Sequence, residues 1–415
     1  MKLSSQRVLD RIVGVPLCRI LSLFPWRYKR AHSPCVPRKI LVIILSEMGS
    51  LVLAKPMFDF IRERYRGAEI YLLLFERNRD LPGVLDGIPN KNVLTLNDRS
   101  FRSFLSDSIR IVLRLRRLKI DTVLDCELFS RISSLFSLLS GAKVRAGFHV
   151  HTQEGLYRGG FINRRLLYNP YTHISLQFIS MVESLGSHGT PLVKRGVENR
   201  LPQLSPVRLG FGEKHRFERR LGNDFPHLGD RKMVLVYPGG GLLPIRAWPS
   251  SCFIDVARDL ICHDYAVGVI GPAEDRYLGE RIATACEDKR CLNLAGYTKT
   301  IKELVLLLQR GSLLIANDGG PGHFASLVSI PSIVLYGPET PTLYGVLGEN
   351  AYCFYSPLSC SPCLTAYNHR KSPCDGNNIC LKQIPPEDVL NKAYEVLTKR
   401  TSGRQTGGMN VVTSS

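Results

Sequence analysis

Long apolar runs are what this chain most plainly lacks. No stretch approaches the roughly 18 uninterrupted apolar residues of a membrane-spanning helix, so none is expected. Cysteine is sparse for a secreted scaffold: 12 in 415 residues exclude a fold held by disulfides. Acidic residues are outnumbered, 36 against 55 Lys and Arg for a net charge of +19, which invites phosphate, nucleic acid or an anionic membrane as partner. Nucleic acid is set aside, because no recognition helix, zinc finger or RNA-binding aromatic motif accompanies the charge. The rest is ordinary: 44% hydrophobic and 22% charged residues suit a globular protein of two domains or three small ones. Disorder, collagen and coiled coil are excluded as global descriptions.

The excess charge gathers at the N-terminus, where the first 40 residues hold nine Lys or Arg and one acid. Within the segment 1–38, Val8, Leu9, Ile12, Val13, Leu17, Ile20, Leu21, Phe24 and Trp26 form an apolar series. Arg7, Arg11, Arg19, Arg27, Lys29 and Arg30 punctuate and follow it. A secretory signal is excluded, since Arg11 and Arg19 interrupt the apolar region and no small-residue cleavage pattern follows. Two readings stay open: an interfacial helix on anionic lipid, kinked near Pro16, and a basic helix packed on the body of the protein. A second basic stretch, Arg110, Arg114, Arg116, Arg117 and Lys119 among Ile111, Val112, Leu113 and Leu115, is a solvated helix face or an addition to a membrane-facing surface. The Gly/Ser/Thr-rich tail 401–415 is expected to be disordered. Four cysteines, Cys360, Cys363, Cys374 and Cys380, form a C-x2-C-x10-C-x5-C run; it reads as a structural zinc site or as four reduced thiols in a polar loop.

From Lys39 short apolar runs alternate with helical periodicity. Strands are expected over 40–45, 69–75, 121–124 and 143–146, and helices over 51–66, 101–118 and 131–139. Such alternation means βαβ units and a parallel sheet. Residues 191–232, rich in Pro, Gly and mixed charge, read as a linker. The pattern then restarts with strands over 233–237, 265–270, 313–316 and 332–335, and helices over 250–262, 274–285, 300–309 and 322–328. Two Rossmann-like α/β domains follow, 39–190 and 233–400, with a cleft between them and ligands outside the carboxyl ends of the strands.

Three loops sit where that rule puts ligands. Ser46-Glu47-Met48-Gly49-Ser50 follows the first strand, and its glycine permits a tight turn before a helix N-terminus. Tyr237-Pro238-Gly239-Gly240-Gly241 follows the first strand of the second half and leads to Arg246-Ala247-Trp248-Pro249. Three glycines expose amides to an anion, and an arginine grips phosphate through two hydrogen bonds. Neither G-K-[ST] nor G-x-G-x-x-G is present, so this is no P-loop and no dinucleotide fingerprint. The third loop is Asn317-Asp318-Gly319-Gly320-Pro321-Gly322-His323, where Asp318 can accept from glycine amides or ribose hydroxyls and His323 can donate to phosphate. An Asp-capped helix with a packed His is the plain alternative.

In this order the three loops resemble glycosyltransferase family 9, whose best-known members are the ADP-heptose–lipopolysaccharide heptosyltransferases. The resemblance runs from about Lys39 to Leu397 and includes Gly271-Pro272-Ala273-Glu274 and Asn293-Leu294-Ala295-Gly296. It implies an α/β fold of the GT-B class, two Rossmann-like domains facing across a cleft, with acceptor bound mainly by the first and sugar nucleotide by the second. It implies Gly239, Gly240, Gly241, Arg246, Asp318, Gly319, Gly320 and His323 at the diphosphate, and Glu274 near the nucleoside. It also implies transfer without a catalytic metal, and no Asp-x-Asp signature stands out. At the position of the family's catalytic Asp this chain has Ser50, a poor base at neutral pH. Glu47 is the first substitute and Glu127 the second, with Ser50, Gly49 and Arg131 toward the acceptor. The expected activity is inverting transfer from a nucleotide-diphospho-sugar to a lipid-linked or lipopolysaccharide acceptor, on the inner face of a membrane. The alternative is a catalytically silent nucleotide-sugar-binding scaffold.

Overall fold

The computed structural model describes residues 8, 10–24, 35–45, 48–85, 87–128, 130–150, 157–189, 191–194, 196, 201–207, 209–241, 243–365, 371–402 and 410–412. They form two compact units that divide between Asn199 and Arg200. None of the described helices is long and apolar enough to cross a membrane.

The first unit runs α1 (Val15–Ser22), β1 (Lys39–Ile43), α2 (Met48–Leu53), α3 (Lys55–Arg64), β2 (Glu69–Phe75), β3 (Val93–Leu96) and α4 (Phe101–Leu118). It continues with β4 (Thr122–Asp125), α5 (Arg131–Leu139), β5 (Val144–Phe148), β6 (Arg164–Leu166) and α6 (Ile174–Glu183). All six strands are parallel, in the order β3-β2-β1-β4-β5-β6. Strands buried on both faces read as continuous Ile/Leu/Val runs, and β1 does so. Leu41 and Ile43 meet Ile111 and Leu115 of α4 and Phe136 of α5 on one face, while Ile40 and Val42 are equally buried on the other. The single helix expected over 51–66 is two, because Pro56 supplies no N–H and belongs in a first turn; α3 begins one residue before it. At the N-terminus Pro16 likewise sits in the first turn of α1, directly after a π-helical turn at Asp10–Gly14.

The second unit begins inside the expected linker. Helix α7 (Phe211–Asp224) buries Phe217 and Leu221, stacks edge-on with Tyr297 and pairs Arg220 with Glu303 at 2.9 Å. The mixed charge that reads as linker is its solvent face. Then come β7 (Met233–Tyr237), α8 (Ser250–Cys262), β8 (Ala266–Val269), α9 (Arg276–Cys286), β9 (Cys291–Asn293) and α10 (Ile301–Arg310). β10 (Leu313–Asn317), α11 (Gly320–Ser326), β11 (Ser332–Tyr336), β12 (Ala351–Tyr355), α12 (Pro386–Ser402) and β13 (Asn410–Val412) complete it. This sheet is parallel throughout, ordered β13-β12-β11-β10-β7-β8-β9. The tail expected to be disordered therefore contributes an edge strand at Asn410–Val412. Both sheets reverse direction beside their first strand, between β1 and β4 and between β7 and β10. Such switch points open a crevice at the carboxyl ends of the strands.

Candidate functional site

Asn317 ends β10 at the switch point of the second sheet and ties the local loops together. Its Nδ2 donates to the Pro238 carbonyl at 2.8 Å, and its Oδ1 accepts the Trp248 backbone N–H at 3.0 Å. Trp248 is buried, donates its indole N–H to the Ile384 carbonyl at 3.1 Å and meets Phe253 edge-on. The tryptophan of the Arg-Ala-Trp-Pro segment is thus an anchor. It fixes Arg246, two residues earlier, beside the glycine turn.

Arg246 lies between two buried carboxylates. Its Nη2 is 2.8 Å from Glu339 Oε2, and its Nε is 3.4 Å from Asp318 Oδ2. Asp318 and Glu339 are only 4% and 3% exposed, too little for water to solvate two charges. Burial pushes Asp318 up from the usual carboxylate range and pushes Glu339 up to about 8. Burial opposes the charge on Arg246, but the Asp318 and Glu339 carboxylates hold its pKa above the ordinary value. The set is near neutral while the carboxyl pair keeps one proton, so an arriving anion meets a fixed guanidinium without a full opposing charge.

The glycine turn resists side chains, most at Gly240, which faces backbone atoms, and at Gly241, whose φ is +58°. A Cβ on Gly239 would stand 2.2 Å from Asp275 Oδ2, and one on Gly240 would stand 2.8 Å from the Leu243 carbonyl oxygen. Gly241 lies beside the Tyr237 hydroxyl. Asp275 turns its carboxylate toward this loop, and its buried Oδ2 has no hydrogen-bond partner among the described residues. Burial raises the Asp275 pKa; burial and then the Asp275 charge push the Tyr237 phenol up to about 12. Glu274, the residue the sequence singles out, is exposed. Neighbouring acids differ only in rotation about the chain, which sequence spacing does not resolve. Gly319 packs against the Tyr237 ring. Gly320 opens α11, and His323 is buried in that helix. Of the expected nucleotide residues all but Glu274 therefore gather at the ends of β7 and β10. Glu339 and Asp275 were missed. Glu339 has one signal in the sequence: it follows a strand end, three residues past β11.

In the first unit Glu47 lies outside the described residues. Gly49 and Ser50 fall in the first turn of α2, where the Ser50 carbonyl accepts the Ala54 N–H at 2.9 Å. Glu127 follows β4 and accepts the Leu45 N–H at 2.7 Å, which carries its carboxylate across the switch point to the end of β1. Asp10 Oδ1 accepts the Arg131 backbone N–H at 2.7 Å and Oδ2 lies 3.5 Å from its Nη1, so the N-terminal segment packs on this residue. Beneath this loop Arg158 and Asp125 form an ion pair with both side chains fully buried. The guanidinium donates also to Ser133 Oγ at 2.7 Å and to the Glu127 and Ser130 carbonyls.

The four late cysteines share one loop region. Burial and then the Cys363, Cys360 and Cys374 thiols push Cys380 up to about 11. Ser372 donates to Cys363 Sγ at 3.0 Å, and the Cys374 thiol donates to Asp375. Among the described residues no three His, Cys, Asp or Glu side chains are grouped to hold a metal, so zinc there requires the loop to draw its thiols together.

Comparison with known proteins follows the same lines. A family model described as glycosyltransferase family 9 (heptosyltransferase) matches residues 109–372. Lipooligosaccharide heptosyltransferase 2 of Haemophilus influenzae is 35% identical over 176 residues, covering 41% of this chain and 49% of the relative. The chain thus spans about half the length of the first curated relatives it matches. Lipopolysaccharide heptosyltransferase 3 of Escherichia coli aligns more fully, at 24% identity over 84% of this chain and 95% of its own length. Among solved structures, the E. coli ADP-heptose lipopolysaccharide heptosyltransferase II superposes with a TM-score of 0.69 at 22% identity, over 88% of this chain and 99% of that one. That likeness shows the fold, the α/β GT-B class expected from the sequence.

Proposed function

Because the chain belongs to glycosyltransferase family 9, the heptosyltransferase family, we propose that it transfers a sugar, heptose or a relative, from a nucleotide-diphospho-sugar to a lipopolysaccharide or lipid-linked glycan. The observation that carries this reading is Arg246, held between Asp318 and Glu339 beside a glycine turn that resists side chains. A departing nucleoside diphosphate needs fixed positive charge and oriented amides as the glycosidic bond breaks. Arg246 and the amides of Gly239 to Gly241 supply these from the protein, with His323 nearby in sequence to Asp318. Heptose is proposed from the names of the curated relatives. Glu274, exposed at the end of β8 next to Asp275, keeps its proposed place near the nucleoside.

The acceptor hydroxyl would attack the anomeric carbon from the opposite face, with inversion, and lose its proton to a carboxylate. Glu47 is ranked first as this base and Glu127, whose Oε1 accepts the Leu45 N–H, second, with Ser50 orienting the acceptor. Glu47→Gln is expected to lower the turnover number by about 10²–10⁴, the range for general bases, while nucleotide affinity stays unchanged. Nucleotide release from donor and acceptor checks it. Unchanged turnover would remove Glu47 as base, and a wild type that binds nucleotide without turnover would leave the silent scaffold.

A pH dependence follows from the carboxyl pair. Glu339 keeps its proton below about 8 and ionises above it, and that ionisation adds negative charge against Arg246. Nucleotide affinity therefore falls as pH rises through about 8. Glu339→Gln, neutral at every pH, flattens the profile. Titration calorimetry across that range reads the difference, and a wild-type profile already flat would contradict the shared proton.

A further inference from the structure

Two helices of the first unit leave their apolar residues in water. On α4 the core face is Ile111 and Leu115, yet Phe101, Leu105, Ile109 and Leu113 are each more than half exposed, at 52–57%. Four-residue spacing puts them in one line along the helix. Arg102, Arg110, Arg114 and Arg117 run beside that line, all exposed. The helix has five arginines against one acid, Asp107. Asp107 pairs with Arg110 at 2.9 Å and leaves that guanidinium two-thirds exposed.

The N-terminal segment repeats the arrangement. It is packed on the body: Asp10 accepts the backbone N–H groups of Arg131 and Ile132 at the start of α5, Cys18 is buried with Phe161 and Ile162, and Ser22 Oγ accepts the Gly160 N–H at 2.7 Å. What it turns outward is apolar all the same, with Ile12, Ile20 and Leu23 more than half exposed and Arg11 and Arg19 beside them. The segment is therefore packed on the body by one side and exposes apolar and basic residues on the other. The two helices are linked through α5, which packs against each. Asp10 sits at its first residue, and Arg116 Nε donates to the carbonyl of its last, Leu139, at 2.6 Å.

We propose that the exposed faces of α1 and α4 together seat the first unit on an anionic lipid bilayer. Shallow apolar stripes flanked by arginine are the pattern of a helix lying in the interface, its rings and aliphatic chains among acyl tails and its guanidinium groups at the phosphates. Charge selects the occupant. A second copy would bring the same arginines against these, whereas an anionic headgroup layer neutralises them. The proposal concerns the first unit and stands apart from the donor reading, whose tests read nucleotide binding in the second.

The test is flotation of the full chain with vesicles of phosphatidylcholine alone and of phosphatidylcholine with phosphatidylglycerol. Each basic residue near such a surface is worth about fivefold in binding, so Arg110→Gln/Arg114→Gln weakens capture by the anionic vesicles about twenty-fivefold. Leu105→Ser/Ile109→Ser weakens it about tenfold or more through lost apolar burial. All four positions are exposed, so unfolding temperature and nucleotide binding stay at wild-type values. Equal binding of wild type to both vesicle types, or capture unaffected by either pair, overturns the proposal. So does the absence of capture, with self-association on gel filtration that the Leu/Ile pair abolishes, which would make the face an interface between copies.

Discussion

Arg246→Ala is expected to lower kcat/KM for the donor by about 10²–10³, the cost of removing one group that stabilises a developing oxyanion. The loss has two parts. The guanidinium that would face the diphosphate goes, and Asp318 and Glu339 remain buried behind it with no cation to offset them. Arg246→Lys recovers little, because a point charge cannot span two carboxylates and a phosphate as a planar fork does. Steady-state kinetics with donor varied is the measurement. A kcat/KM within a few-fold of wild type would take Arg246 out of the site. Loss of folding is distinguished by the unfolding temperature without ligand.

Arg158→Met is expected to be the most destabilising single change in the first unit, by about 3–5 kcal/mol, the cost of breaking a buried pair from one side. Asp125 would be left fully buried, in a place where burial already raises its pKa despite Arg158. A carboxyl raised in this way is neutral at low pH, so the penalty shrinks as pH falls and grows as it rises. Asp125→Asn/Arg158→Met removes both charges and recovers much of the loss, since a neutral pair needs no counter-ion. Denaturant unfolding at two pH values reads these outcomes. A single variant within 1 kcal/mol of wild type, about the spread of a neutral hydrogen bond, would show that the pair is not what fixes the β4–α5 loop.

Much of this molecule is legible because strands and helices differ in period. Helices Phe101–Leu118 and Arg131–Leu139 and strands Glu69–Phe75 and Met233–Tyr237 have the bounds their spacing predicts. Misreadings occur where a local signal serves a second purpose. The charge of 211–224 reads as linker, but Phe217 and Leu221 make it a packed helix. Pro56 reads as helix interior, and it stands in a first turn. The site shows the same limit. Glycine turns and Arg246 are visible because the backbone needs those residue types, whereas Glu339 lies 93 positions after Arg246 and its approach is visible only once β10 and β11 are paired. The contact of Arg131 with Asp10, 121 positions away, is likewise visible only in the fold.

The central claim is that the second unit holds a nucleoside diphosphate between the Gly239–Gly241 turn and Arg246. Its most direct test is a thermal-shift titration with ADP, GDP, UDP and CMP on the wild type and on Asp318→Ala/Arg246→Ala. Ligand at a hundredfold excess over its dissociation constant stabilises the folded state by about 2.7 kcal/mol, a shift well within detection. The account predicts a rise in unfolding temperature with one nucleoside diphosphate and none in the double variant. No rise with any nucleotide on the wild type, or an equal rise in a double variant that is folded, would contradict it.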